Sequence, residues 1–228
     1  PPQTLSRRPP TVTQVIAAMP IVDSNAWTGA GMTGRLPGRV DQVLAALAQV
    51  GVERACLTPL DAVWHHNPHL ANDELFAAAR TCAQILPVPL LDPTVPTWPE
   101  ELDRAAGEHA PMVKLAPAYS QYCLDAAGPL LDAVAERGMA VIVQVRVEDP
   151  RHHHPLAQVA DYPAEDVARM ARQRPGQRVV IGGAATGSLL ALRGALVELP
   201  GLYADISQAD GLDAVRRLVD AGLRDRLL

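Results

Sequence analysis

The chain has 228 residues, 48% of them hydrophobic, with 20 Lys+Arg against 25 Asp+Glu and a formal net charge of −5, so it can bury a sizeable core and is not a disordered tail. No basic stretch exceeds a dipeptide, which argues against a nucleic-acid partner; the apolar runs are only strand-length, and the opening PPQTLSRRPP lacks the apolar stretch of a secretory signal, so no membrane partner is expected. Cys56, Cys82 and Cys123 are an odd number at no metal spacing, and they predict reduced thiols and a cytoplasmic protein.

Short apolar runs alternate with longer amphipathic stretches along the whole chain. The first strand is read at Pro20–Asn25 (PIVDSN), followed after a Gly-rich loop by a helix from about Arg39 to Val50 that stops at Gly51. Strand two is Arg54–Thr58, with its helix near Ala71–Ala83. Strand three is Ile85–Leu91, although Pro87 and Pro89 remove ladder donors inside it. Strand four is Met112–Ala116, with a helix at about Asp125–Arg137 that ends on Gly138. Strand five, Ala140–Val145, is followed by a long polar loop and a helix at Pro163–Arg174. Strands six and seven are Arg178–Ile181 and Leu202–Ile206, with helices near Ser188–Leu199 and Leu212–Ala221.

Strands apolar on both faces and separated by helices mark a parallel sheet covered on both sides. The loop Trp27–Gly38 and the turn GGAATGS at 182–188 do not match a dinucleotide-binding fingerprint, which disfavours an open doubly wound sheet. The reading is α/β, a (β/α)8 TIM-like barrel in one domain over residues 1–228, with 1–18 as an N-terminal extension. Arg226-Leu227-Leu228 reads as the start of an eighth strand, so the barrel is expected to be incomplete there.

In such a barrel the loops after the strands form the active face. Six of the seven histidines (65, 66, 69, 152, 153 and 154) fall in the loops after strands two and five, and Trp27, Trp64, Tyr119, Tyr122 and Tyr162 fall on the same side. That placement points to a pocket, with long loops that merely collect polar and aromatic residues as the alternative.

IVDSN at 21–25, NDELFAAA at 72–79, VKLAPAY at 113–119, LLDAVAERGMAVIVQV at 130–145, RVVIGG at 178–183 and LYADIS at 202–207 resemble, in order and spacing, the amidohydrolase-related branch of metal-dependent hydrolases. That branch includes aminocarboxymuconate-semialdehyde decarboxylase and related aromatic-acid decarboxylases. The resemblance implies a hydrolase or a decarboxylase-type lyase. It also implies a divalent metal held by imidazoles of an Asp-x-His-x-His strand end, a strand-five histidine and a strand-six histidine. Here those positions hold Asp23, Asn25, Trp27, Gln144 and Gly183, so no metal and no other cofactor is expected at the strand ends.

A polar set remains. Asp23, Asn25 and Trp27 alternate onto one face, as do Gln144 and Arg146. Lys114 lies between Val113 and Leu115, open to reading as a base, a Schiff-base nucleophile or a countercharge, or as a core lysine paired with Asp23 or Asp205. Asp205 is its partner or an acid/base group itself. In the strand-five loop, Arg146 and Arg151 are candidates to clamp a carboxylate, and Glu148, Asp149 and His154 to move protons. Tyr119 is a candidate substrate contact. The two histidine clusters leave a displaced loop metal site as an alternative. The expected ligand is a small organic acid; a catalytically inactive barrel that binds a small molecule or partner protein, and a homodimer, stay open.

Overall fold

The computed structural model describes residues 20–29 and 38–228. The N-terminal extension and most of the Gly-rich loop after the first strand lie outside them. Three parallel strands come first, β1 (Ile21–Thr28), β2 (Val52–Pro59) and β3 (Ile85–Pro87), in that order. Four more follow in a second parallel run, β4 (Met112–Leu115), β5 (Ala140–Gln144), β6 (Val179–Gly182) and β7 (Leu202–Ala204).

The two runs meet at one bridge, Leu90 to Lys114. Its cause is local. Pro87 and Pro89 cannot donate, so the expected third strand stops at Pro87, and the chain then changes partner. Val88 N–H still reaches the Leu57 carbonyl (2.9 Å), whereas Lys114 N–H donates to Pro89 O and Leu91 N–H to Lys114 O, both at 2.9 Å.

Apart from a single helical turn at Pro117–Ser120, the helices among the described residues are α1 (Val40–Gln49), α2 (Asn72–Thr81), α3 (Trp98–Gly107), α4 (Gly128–Glu136), α5 (Ala164–Gln173), α6 (Thr186–Ala191), α7 (Arg193–Glu198) and α8 (Ala214–Asp220). Sequence periodicity misses α3, whose buried stripe is only Glu101, Leu102 and Ala105. Its start was legible all the same, with a proline in the first turn and Glu100 and Glu101 beside it. The helix expected at 188–199 is two, broken at Leu192.

Between sheet and helices lies the main core, where Val113, Leu115, Val141, Val143 and Ile181 meet helix residues such as Leu130 and Val167. The opposite face buries Cys56, Val88, Ile142 and Val180. Both faces are therefore dry, as the apolar strands require. At roughly 1.5–3 kcal/mol per large apolar side chain, this double burial carries most of the stability.

Past β7 a 3₁₀ turn at Arg224–Arg226 delays the eighth strand by one residue. It begins at Leu227, which bridges to Ala204, with Leu228 N–H on the Ala204 carbonyl at 2.9 Å. Among the described residues β1 pairs with β2 alone. A cavity of about 270 Å³ is lined by Asp23, Asn25, Asp205, Ser207 and Leu228 among others.

Asn72 repairs the edge where β3 leaves β2. Fully buried, it accepts from Leu90 N–H (3.1 Å) and donates to Leu90 O (3.0 Å) and to Glu101 Oε1 (2.7 Å). Its amide does for Leu90 what a neighbouring strand would. Asn72→Ala strands two backbone groups and removes one donor from the buried Glu101 carboxylate, which Arg104 still holds, and is expected to lower the unfolding free energy by about 3 kcal/mol. Urea denaturation would show this as a lower midpoint at unchanged slope; a shift worth under about 1 kcal/mol would contradict it.

Candidate active site at the strand ends

The site is built by alternation and one irregularity. In β4, Val113 and Leu115 face the helices, which turns Lys114 inward, 0% exposed. In β1 the register runs Asp23 to Ala55 and then Ala26 to Leu57, so three steps on β1 match two on β2. That bulge is closed by Asn25 N–H donating to Asp23 Oδ1 at 2.9 Å, and it buries the Asn25 side chain. The first strand thus runs on to Thr28, beyond its expected end at Asn25.

Asn25 is the hub. Lys114 Nζ donates to Asn25 Oδ1 at 2.6 Å, while Asn25 Nδ2 donates to Gln144 Oε1 at 3.1 Å and to Asp205 Oδ2. Lys114 therefore meets Asp205 through an amide rather than pairing directly with either expected aspartate. Gln144 Nε2 donates onward to Arg146 O at 2.7 Å. Asp205 Oδ1 accepts from Gly183 N–H (3.0 Å), Ser207 N–H (3.1 Å) and Ser207 Oγ (2.8 Å). The Trp27 ring covers the amine, its centroid 3.6 Å from Nζ.

Burial pushes the Lys114 amine down to about 7, against the opposing pull of Asp205, Cys56 and Asp23. The amine is thus divided between its charged and neutral forms near neutral pH. Two glycines make room for this. A Cβ on Gly182 would lie 2.5 Å from Gln144 Oε1, and one on Gly183 would strike the Arg146 carbonyl.

Above the amine an apolar roof packs Trp27, Trp64 and Tyr119 against Leu90 and Ala116. Trp64 and Tyr119 stack edge to face, centroids 5.4 Å apart, and the Tyr119 hydroxyl accepts from Val147 N–H at 3.4 Å. Trp64 was outside the expected site set, as were Ser207 and Gln208. Ser207 stands two residues beyond Asp205, in the turn that follows β7.

The strand-five loop looks inward on itself. Arg146 is buried and ties loops together, donating to Gln208 O at 3.0 Å, with Asp161 at 3.8 Å. Arg151, 80% exposed in its side chain, pairs with its neighbour Asp149, so the two guanidiniums occupy different surroundings and form no common clamp. His154 Nδ1 accepts from Leu156 N–H (3.2 Å), and His153 bonds to Glu148 O (3.0 Å) and Val159 N–H (3.4 Å). No side-chain hydrogen bond of Glu148 is seen among the described residues, its carbonyl alone being engaged.

The histidines of the two loops do not gather. Among the described residues no group of three or more His, Cys, Asp or Glu is placed to hold a metal. The strand-end side chains do not fit one either: Asn25 Oδ1 is taken by Lys114, its amide nitrogen faces acceptors, and indole and glycine supply no ligand.

His69 has a different task. Asp92 N–H donates to its Nε2 at 3.3 Å, which leaves the proton on Nδ1, 3.4 Å from Thr97 Oγ1. Burial lowers its pKa from 6.5, with Glu101 and Asp92 opposing. In the window below 6.5 the unfolded chain takes up this proton before the folded one does. The stability it contributes is thus present above that value and lost as pH falls through the window. Unfolding free energies measured between about pH 7 and pH 5 should fall more steeply in wild type than in His69→Asn; equal slopes would contradict this.

The architecture is that of a TIM-type barrel. A TIM-barrel protein of Bordetella bronchiseptica superposes with a TM-score of 0.62 at 14% identity, over 92% of this chain and 84% of that one. A probable 2-pyrone-4,6-dicarboxylic acid hydrolase of Acinetobacter baumannii with citric acid bound matches with a TM-score of 0.62 at 12% identity, over 92% and 82%. A dihydroorotase of Campylobacter jejuni matches with a TM-score of 0.54 at 14% identity, over 92% and 69%. No family model matches the chain, and no curated protein matches it by sequence. No helix among the described residues is long and apolar enough to cross a membrane, and Cys56, Cys82 and Cys123 are free thiols.

Proposed function

We propose that this chain is an amidohydrolase-like barrel enzyme, a hydrolase or a decarboxylase-type lyase, that acts on a small anionic organic acid without a divalent metal. One observation carries the reading: the centre of the strand ends is an amine. Lys114 Nζ is fully buried and held by Asn25, where the resembling hydrolases hold a metal. A desolvated amine serves as base or nucleophile at neutral pH. The likeness of fold to a dicarboxylic acid hydrolase with citric acid bound supports an acid as substrate. In this reading Asn25 and Gln144 position the amine, Asp205 balances its charge, and Trp27 and Tyr119 shape the roof. Free thiols suit a cytoplasmic protein.

A second reading, a catalytically silent barrel that binds a small molecule, is favoured by the satisfied state of the network. Asp205 already accepts four hydrogen bonds, and Trp27 covers the amine. Turnover of small aliphatic and aromatic acids, with and without chelator, decides between them. Chelator-resistant turnover abolished by Lys114→Met supports the enzyme, whereas a ligand-induced rise in melting temperature without turnover supports the binder. Turnover that chelator abolishes would sink the metal-free reading.

A further inference from the structure

We propose that residues 60–71, between β2 and α2, form a pH-operated roof that lifts when His69 takes up a second proton, a device that regulates the strand-end site and rests on the enzyme reading above for its use. The segment carries Trp64 of the apolar roof, with Ala62 and Val63 buried against Leu90 and Ala116. Its polar fastening is concentrated in one residue. Among the described residues, every hydrogen bond that joins this segment to elements beyond α2 runs through His69. Nε2 accepts from Asp92 N–H at 3.3 Å, Nδ1 meets Thr97 Oγ1 at 3.4 Å, and the carbonyl accepts from Arg104 Nη2 at 3.4 Å.

Trp64 supplies an independent observation. Its indole N–H is buried without an acceptor among the described residues. A buried donor left unpaired costs free energy, and moving out to water removes that cost. Thus the closed roof holds an orphan donor at Trp64 and is tied down five residues later by one imidazole.

The charges around His69 decide what a second proton does. Asp92 faces it from the loop after β3, and Glu101 and Arg104 from α3, with Asp73 of α2 paired to Arg104. Both nearer carboxylates are already engaged. Asp92 Oδ1 accepts from Thr94 N–H (2.8 Å) and Oγ1 (2.7 Å), and Glu101 Oε1 from Asn72 Nδ2 (2.7 Å) and Arg104 Nη2 (2.8 Å). Burial therefore outweighs their attraction for an imidazolium, and Arg104 opposes it as well. A second proton would also turn Nε2 into a donor facing the Asp92 N–H. The ring accommodates that proton by swinging out, which releases two of the three ties.

In the open form the imidazole regains its ordinary value of 6.5, above that of the closed form. Below 6.5 the open form binds the proton first, so its population rises as pH falls, by up to about tenfold per pH unit. Trp64 then leaves Tyr119, and the roof parts above Leu90, the residue bridged to Lys114.

Amide hydrogen exchange of the whole chain, read by peptide mass spectrometry and corrected for intrinsic rates, tests this at about pH 7.5 and about pH 5.5, with and without sub-denaturing urea. Peptides covering residues 60–71 and Asp92 should lose protection about threefold or more at the lower pH. Urea should not add to that loss, whereas it should speed exchange in β5, which opens only with the whole fold. In His69→Gln, whose amide accepts without titrating, protection of the segment should stay level between the two pH values. Level protection in wild type overturns the roof, whether or not the variant folds. The same pH response in folded His69→Gln, or urea sensitivity equal to that of β5, overturns it too. Chelator-resistant turnover with a pH-invariant segment would reject the roof and keep the enzyme reading. The predicted exchange without turnover of any acid would keep the roof and reject that reading.

Discussion

Gly183→Ala is expected to be the most damaging glycine-to-alanine change among the described residues. At φ +72 the backbone lies in the left-handed region, and the added carbon would overlap the Arg146 carbonyl and stand 2.6 Å from Gln144 Nε2. The conformational penalty alone is of order 1–2 kcal/mol. The carbonyl it would strike is the acceptor of the Gln144 amide, so relief by moving either group breaks that bond. Gly183 N–H also donates to Asp205 Oδ1. A loss of about 4 kcal/mol in unfolding free energy is expected, with disorder spreading to the loops after β5 and β7. Gly187→Ala, in α6 with open space around it, is the matched control and should change stability little. Similar melting temperatures for the two variants would refute the crowding argument.

Lys114→Met should remove most of a pH dependence of stability that few single residues produce. With its folded value down at about 7 and an ordinary lysine near 10.5, the unfolded chain binds this proton over a window in which the native protein does not. Stability therefore rises with pH between those values, by as much as roughly 1.4 kcal/mol per pH unit. Below about 7 both states are protonated and no slope remains. Cys56, whose thiol burial pushes up to about 11, acts in the opposite sense above about 9, yet it is common to both proteins and largely cancels in their difference. The advantage of wild type over Lys114→Met should grow by about 3 kcal/mol between about pH 6.5 and pH 9.5. A constant difference would mean that Lys114 keeps an ordinary proton affinity.

Periodicity located the strands well where both faces are apolar, as in Ala140–Gln144 and Val179–Gly182. Lys114 was also legible, because a charge between Val113 and Leu115 can only face the other way. What single-chain patterning could not show is contact between distant strands. Asn25 joins an amine on β4 to a carboxylate after β7, and its inward turn depends on a bulge visible only in the register. The histidine clusters mislead for the converse reason. His153 and His154 are close in sequence and still bond to their own loop, and His69 is held by Thr97 and Asp92. Charge and residue type say what a side chain can do; its backbone neighbours had already engaged these.

The bridge at Leu90 has a kinetic meaning for hydrogen exchange. The two sheet halves are joined through the amide and carbonyl of Lys114, at Pro89 O and Leu91 N–H. If the halves open as separate cooperative units, the Lys114 amide exchanges with the first of them to part, not with the more stable one. Its protection factor would then report the adhesion between the halves, and the amine on the same residue could be assembled only after they had docked.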